Sequence, residues 1–232
     1  MNIYPYIVLG FGVIALVLFL VLRDRKGSIE AMLLKTITSF LFISVAFTSF
    51  MVNMNSSITH YFMLVMMGLI CGLIGDIVLD MKIIYKESSS IYQHAGMVAF
   101  LIGHLFYLGA LFVYYGFHWL PLVIAIVITV IIILVSKFVL KFDFKEHTVD
   151  SYLYSFFLTY MMTQACYAAI TTGFATTTIL LSIGAVLFLL SDLVLVMTYY
   201  DNKDSRPFII TNHVLYYGAQ YLIALSVLYM TA

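Results

Sequence analysis

Charge is what this chain has least of. Of its 232 residues 9% are Asp, Glu, Lys or Arg and 64% are hydrophobic, whereas an ordinary soluble domain is about 25% charged. A conventional soluble domain is therefore excluded. The few charges balance, 11 basic against 11 acidic, so neither nucleic acid nor an acidic partner is expected. Cysteine is scarce as well. Cys71 and Cys166 both fall inside apolar runs and read as small packing residues, with no disulfide framework or metal-ligand spacing. Gly-x-Ser-x-Gly elbows, Walker loops and Cys/His metal clusters are absent, and no metal or other cofactor is expected. The N-terminus has no charged leader region and no small-residue cleavage pattern before Arg23, so it reads as a retained first helix rather than a signal peptide.

What the chain does have is long apolar runs, each near the ~20 residues that span a bilayer as a helix. They cover 3–22, 30–51, 60–81, 93–116, 118–140, 150–171, 177–200 and 209–231. The expected fold class is all-α: one polytopic membrane bundle of about eight helices over 1–232, without linker, repeat or soluble domain. Gly116, His118 and Pro121 mark a tight turn between the fourth and fifth runs. The 18 Tyr and 19 Phe suit interfacial belts and lipid-facing surface.

Alternate loops fall on opposite sides. One set holds Arg23, Arg25, Lys26, Lys82, Lys86, Lys137, Lys141, Lys145, Lys203 and Arg206, while the other, around 52–59, 116–118 and 172–176, holds no Lys or Arg. The positive-inside rule puts the first set in the cytoplasm and both termini outside. A multi-pass protein of the cell membrane is expected.

Ionisable residues inside a span are costly, and they usually face a protein interior or a wet cavity. Lys35, Asp76, Asp80, His104 and Asp192 are therefore the candidate functional residues, with Gln164, His213 and Gln220 as polar company. In the third run Gly68, Gly72 and Asp76 are spaced by four and share a face, which puts Asp76 against a neighbouring helix rather than lipid. Asp80 lies one turn further on, either part of a site or a solvated helix terminus. Asp192 follows Ser191, nine residues before Asp201, or about 14 Å at the helical rise. That depth leaves two readings, a functional carboxylate or one paired structurally with Lys35 or a tyrosine. Lys35 either snorkels to the interface or pairs with an aspartate. His104 and Tyr107 share a face with Phe100, and a lone histidine there is commonly a hydrogen-bonded core residue. His213, Tyr216, Tyr217 and Gln220 form a polar stripe that either lines a cavity or ties helices together. Gln164, in the outer half of its span, reads as such a tie. Lys35, Asp76, Asp80 and Asp192 share a height in the cytoplasmic half, as a single site opening toward the inner leaflet requires.

Two buried carboxylates in unlike surroundings make an acid and a base. That pair suits hydrolysis through an oxocarbenium-like cation, of a sugar or of an enol ether. Asp76, Asp80, His104 and Asp192 also form an alternative metal-ligand set, although nothing in their spacing asks for one.

In these motifs the chain resembles the lysoplasmalogenase (YhhN-type) family of membrane proteins. GLICGLIGDIVLD and the following GMVAFLIGHLFYLGALF look like its Gly-Asp helix and the next helix with His and Tyr. LFLLSDLVLVM resembles its Ser-Asp helix, NHVLYYGAQYLIA its final helix and LLKTITSFLFI its second-helix lysine segment; the stretch Tyr154 to Met161 also fits. The matches run in order over 35–224. The resemblance implies an eight-helix hydrolase that cleaves the vinyl ether bond of a lysoplasmalogen to a fatty aldehyde and a glycerophospho-head-group alcohol. It implies Asp76 and Asp192 as the catalytic pair, with Lys35, His104, Tyr107, Tyr216, Tyr217 and Gln220 lining the site. Asp80, Ser191 and His213 are further candidates. The chain departs from the family pattern at Lys35-Thr36, where the family has Lys-Pro, at Asp80, usually apolar, and at Thr198-Tyr199, where the family has Asn and a basic residue. The competing readings are a small proton-coupled transporter and a non-catalytic lipid-binding protein.

Overall fold

The computed structural model describes residues 3–23, 28–200 and 205–231, except the side chains of Lys145 and Tyr200. Arg25, Lys26, Asp201 and Lys203 lie outside the described residues. Eight helices appear close to the expected runs: α1 Tyr4–Leu22, α2 Ile29–Val52, α3 Thr59–Ile84, α4 Ser89–Tyr115, α5 Trp119–Leu134, α6 Thr148–Thr171, α7 Thr176–Tyr200 and α8 Arg206–Tyr229. Their ends carry ordinary stop and start signals. Ser28 caps α2 by accepting from the Ala31 N–H at 3.1 Å, and Gly116 ends α4 at φ 75°. A π-turn, Val135–Val139, extends α5.

Six of these helices are long and apolar enough to cross a membrane by length and composition. The other two, α6 and α8, have 24 residues each but carry more polar side chains, because much of their surface meets protein. Twelve residues of α8 are buried, among them Asn212, His213, Tyr216, Tyr217, Gln220 and Ser226.

The helices α2, α3, α4, α6, α7 and α8 close a ring, each packing on the next and α8 returning to α2; α3 and α8 also touch across it. α1 leans on α2 and α8, and α5 leans on α6. These two outer helices expose apolar faces, including Phe11, Ile14 and Leu18 on α1 and Val123, Val127 and Ile131 on α5, as lipid contact requires.

The glycine face of α3 admits the close helix approach expected of it at Gly68, whose carbonyl oxygen lies 3.1 Å from where a methyl group on Gly103 of α4 would stand, and it also makes room for side chains. A methyl group at Gly68 would meet the Tyr107 ring at 2.2 Å, and one at Gly72 would meet Gln220 Nε2 at 2.5 Å. The missing side chains make room for polar side chains of α4 and α8, which run behind Asp76.

Candidate functional site

At the end of the bundle that carries the α1–α2, α3–α4, α5–α6 and α7–α8 connections lies a cavity of about 530 Å³. Leu79, Ile132, Leu158 and Leu193 belong to its apolar wall, and Lys35, Asp76, Asp80, Asp192, His213 and Tyr216 are polar groups that reach it.

Asp76 is buried on α3. Its Oδ2 accepts from Ser39 Oγ at 2.6 Å and Tyr216 OH at 2.7 Å, and its Oδ1 lies 3.4 Å from Lys35 Nζ. Lys35 also donates to Asp80 Oδ1 at 3.0 Å, and Asp80 Oδ2 accepts from Arg23 at 2.9 Å. The result is an alternating row, Arg23–Asp80–Lys35–Asp76, with no net charge. Buried charges persist when paired and hydrogen-bonded in this way. Two alternatives drawn from the sequence are thereby closed. Asp80, 2% exposed, is not a solvated helix terminus, and Lys35, 6% exposed, does not snorkel. Ser39 sits one turn after Lys35 on the same face of α2, a spacing that would have flagged it.

Asp192 stands in a different setting. Its Oδ2 accepts from Tyr154 OH at 2.5 Å and its Oδ1 from Ser191 Oγ at 3.2 Å. Among the described residues no cation lies in ion-pair contact with it. Tyr154 OH is also 3.2 Å from His104 Nε2. With the hydroxyl proton given to Asp192, the His104 proton sits on Nε2, and Nδ1 is left without a partner. Tyr154 belonged to a stretch noted only for resemblance; nothing local tied it to Asp192, 38 residues on.

The expected site residues therefore divide into two layers. Lys35, Asp76, Asp80, Asp192, His213 and Tyr216 face the cavity. His104, Tyr107, Ser191, Tyr217 and Gln220 do not line it; they stand behind the wall and hold it. Tyr107 OH donates to Gln220 Oε1 at 2.8 Å, Gln220 Nε2 to Tyr216 OH at 3.1 Å, and Tyr216 to Asp76. Tyr217 OH bonds Ser39 at 3.1 Å and the Lys35 carbonyl at 3.2 Å. Both carboxylates thus terminate hydrogen-bond relays rooted in other helices. His213 is held by the Ile209 carbonyl at 2.7 Å and by the Phe19 ring. The set Asp76, Asp80, His104 and Asp192 does not assemble as metal ligands, because His104 turns to Tyr154.

At the cavity rim Lys82 donates to Gln93 Oε1 at 2.6 Å, with its ammonium 3.6 Å over the Tyr199 ring. Among the described residues it is the cavity cation with no carboxylate in contact. Asn212 fixes α8 to α7 by donating to the Ser191 carbonyl at 2.8 Å. In the opposite half several polar groups close on one another. Tyr61 and Ser226 bond at 2.6 Å, Asn53 holds the Met230 carbonyl at 2.8 Å, and Gln164, as expected of a tie, holds the Gly116 carbonyl at 2.7 Å.

A family model described as the YhhN family matches residues 30–227, most of the chain. No curated protein and no solved structure matches it.

Proposed function

From the premise that the chain belongs to the YhhN family, we propose that it is a membrane hydrolase of lysoplasmalogens, using Asp76 and Asp192 as its acid–base pair. The observation that carries this reading is that two carboxylates, one buried beside an ammonium and one half-buried and held only by hydroxyls, open on a single cavity with a large apolar wall. An amphiphile with one chain fits such a cavity, its tail on the apolar wall and its polar end among the charges.

In the proposed reaction Asp192, which has no cation to balance a charge, begins as the acid. It donates its proton to the alkenyl carbon one bond away from the ether-bearing carbon. The electron pair of the double bond forms the new C–H bond, and the ether oxygen shares the resulting positive charge. Asp76, ionised beside Lys35, stabilises that cation and takes a proton from a water that adds to the ether-bearing carbon. In the resulting hemiacetal, Asp76 returns its proton to the ether oxygen as the C–O bond breaks. Asp192 takes the proton of the hemiacetal hydroxyl. Aldehyde and alcohol leave, and both carboxyl groups are restored. Acid–base assistance of this kind contributes about 100- to 10,000-fold. Arg23 and Lys82 line the cavity, which by the positive-inside rule supports an opening toward the cytoplasmic leaflet. A carrier needs polar groups continuing to the far face, where Tyr61, Ser226, Asn53 and the Gln164 amide N–H group are engaged in helix–helix ties.

The test is turnover by the purified protein. Lysoplasmalogen should release aldehyde, whereas a lysophospholipid with an ester-linked chain should not. Absence of aldehyde at every pH tried would overturn the reading.

Lys82 is assigned to the substrate phosphate. A charge-assisted hydrogen bond is worth about 1.5–3 kcal/mol, so Lys82→Met should raise KM about 10- to 100-fold with little change in kcat. A fall in kcat at constant KM would remove Lys82 from this role.

A further inference from the structure

Away from the aspartates of the cavity, three side chains converge where the start of α4 meets the start of α6. His94, exposed on α4, brings Nδ1 to 2.6 Å from Asp150 Oδ2. His147, buried in the single 3-10 turn before α6, has Nδ1 3.8 Å from the same oxygen. One ligand atom from each of the three lies within 4.8 Å of the other two. Two imidazoles and a carboxylate suit a first-row divalent transition ion, zinc above all. Tetrahedral ligands at zinc distances stand about 3.3 Å apart, and the separations to Asp150 straddle that value.

A second observation points the same way. The other ring nitrogen of His147, Nε2, faces Ser90 Oγ at 3.3 Å and Glu146 Oε1 at 3.7 Å, and Ser90 itself donates to Glu146. A histidine that ligates a metal generally gives its far N–H to such a partner, which fixes the tautomer and turns the other lone pair toward the ion. The arrangement leaves Nδ1 directed at Asp150.

We propose that His94, His147 and Asp150 bind one divalent transition-metal ion of the zinc class, with water completing its shell, and that the ion clamps α4 to α6 at the edge of the cavity. The ligands sit next to cavity-lining residues, His94 beside Gln93 and Asp150 beside Ser151, with Phe144 one turn before His147. The ion therefore braces one wall and takes no part in the hydrolysis proposed above.

The test uses the full chain in detergent, stripped with chelator and free of any affinity tag. Zinc is titrated against a chromogenic chelator, and cobalt is followed by its visible absorption. The expected result is one ion per chain, tetrahedral-type cobalt bands, and an unfolding temperature that rises with zinc, since a ligand that binds only the folded chain stabilises it. His94→Ala should weaken zinc binding by more than the roughly 100-fold upper range seen when a ligand's hydrogen-bond partner is disturbed, and Asp150→Asn should act likewise. Both side chains are at least partly exposed, so these variants should fold even where His147→Ala does not. His60→Ala, on the exposed start of α3, should change nothing. Failure to bind one ion per chain, retention of the ion in the His94→Ala, Asp150→Asn double variant, or equal loss in His60→Ala would overturn the proposal.

Discussion

Replacing Asp192 by Asn is expected to slow aldehyde release from lysoplasmalogen by about 100- to 10,000-fold, the range contributed by a positioned acid or base, while leaving KM nearly unchanged. Asparagine keeps the shape of the side chain and still accepts from Tyr154 or Ser191, so the bundle should fold as before. What it lacks is a proton to donate to carbon. Tyr154→Phe should show a smaller fall in kcat. That variant removes the 2.5 Å hydrogen bond to Asp192 and the contact to His104 but leaves the carboxyl in place. Asp76→Asn should also cut kcat, through loss of the base beside Lys35. An Asp76→Asn, Asp192→Asn double variant with full activity would end the acid–base reading. Full activity in Asp192→Asn alone would end the assignment of Asp192 as the acid.

The largest expected change in stability is that of Lys35→Met. The row Arg23–Asp80–Lys35–Asp76 is neutral as it stands, and deleting its central cation leaves two buried carboxylates facing one guanidinium. Removing one partner of a buried ion pair typically costs about 3–5 kcal/mol. Reversible unfolding in mixed micelles should report a loss of that order. Adding Asp80→Asn restores neutrality, with Arg23 left to balance Asp76, so the double variant should recover a large part of the loss. If it is no more stable than Lys35→Met alone, the row does not act as one electrostatic unit. The row also accounts for a departure from the family pattern. Asp80 stands where the resemblance puts an apolar residue, and its partner Arg23 precedes the matched segment 30–227. The acid is neutralised in the interior by Arg23 and Lys35.

The sequence alone determined the eight helices and the shortlist of interior charges. Run length sets a helix that spans a bilayer, and the cost of burying charge in lipid makes Lys35, Asp76 and Asp192 conspicuous wherever they occur. Helical periodicity also gave the faces correctly: the polar stripe of α8 and the Gly68–Gly72–Asp76 row point inward as spaced. Periodicity does not say which helix stands opposite, nor how far a side chain reaches. Tertiary structure alone decided that Asp192 takes Tyr154 rather than Lys35, that Lys35 joins Asp76 to Asp80, and that His104, Tyr107, Tyr217 and Gln220 brace the wall instead of lining it. The grouping of His94 with His147 and Asp150 was likewise hidden. His147 and Asp150 share a spacing of three, but the third member comes from another helix 53 residues earlier. The physical reason is common to all of these. Local rules act within one helix, whereas each ion pair described at the site joins elements whose order around the ring is set by packing, so that no two of these paired charges lie on the same helix.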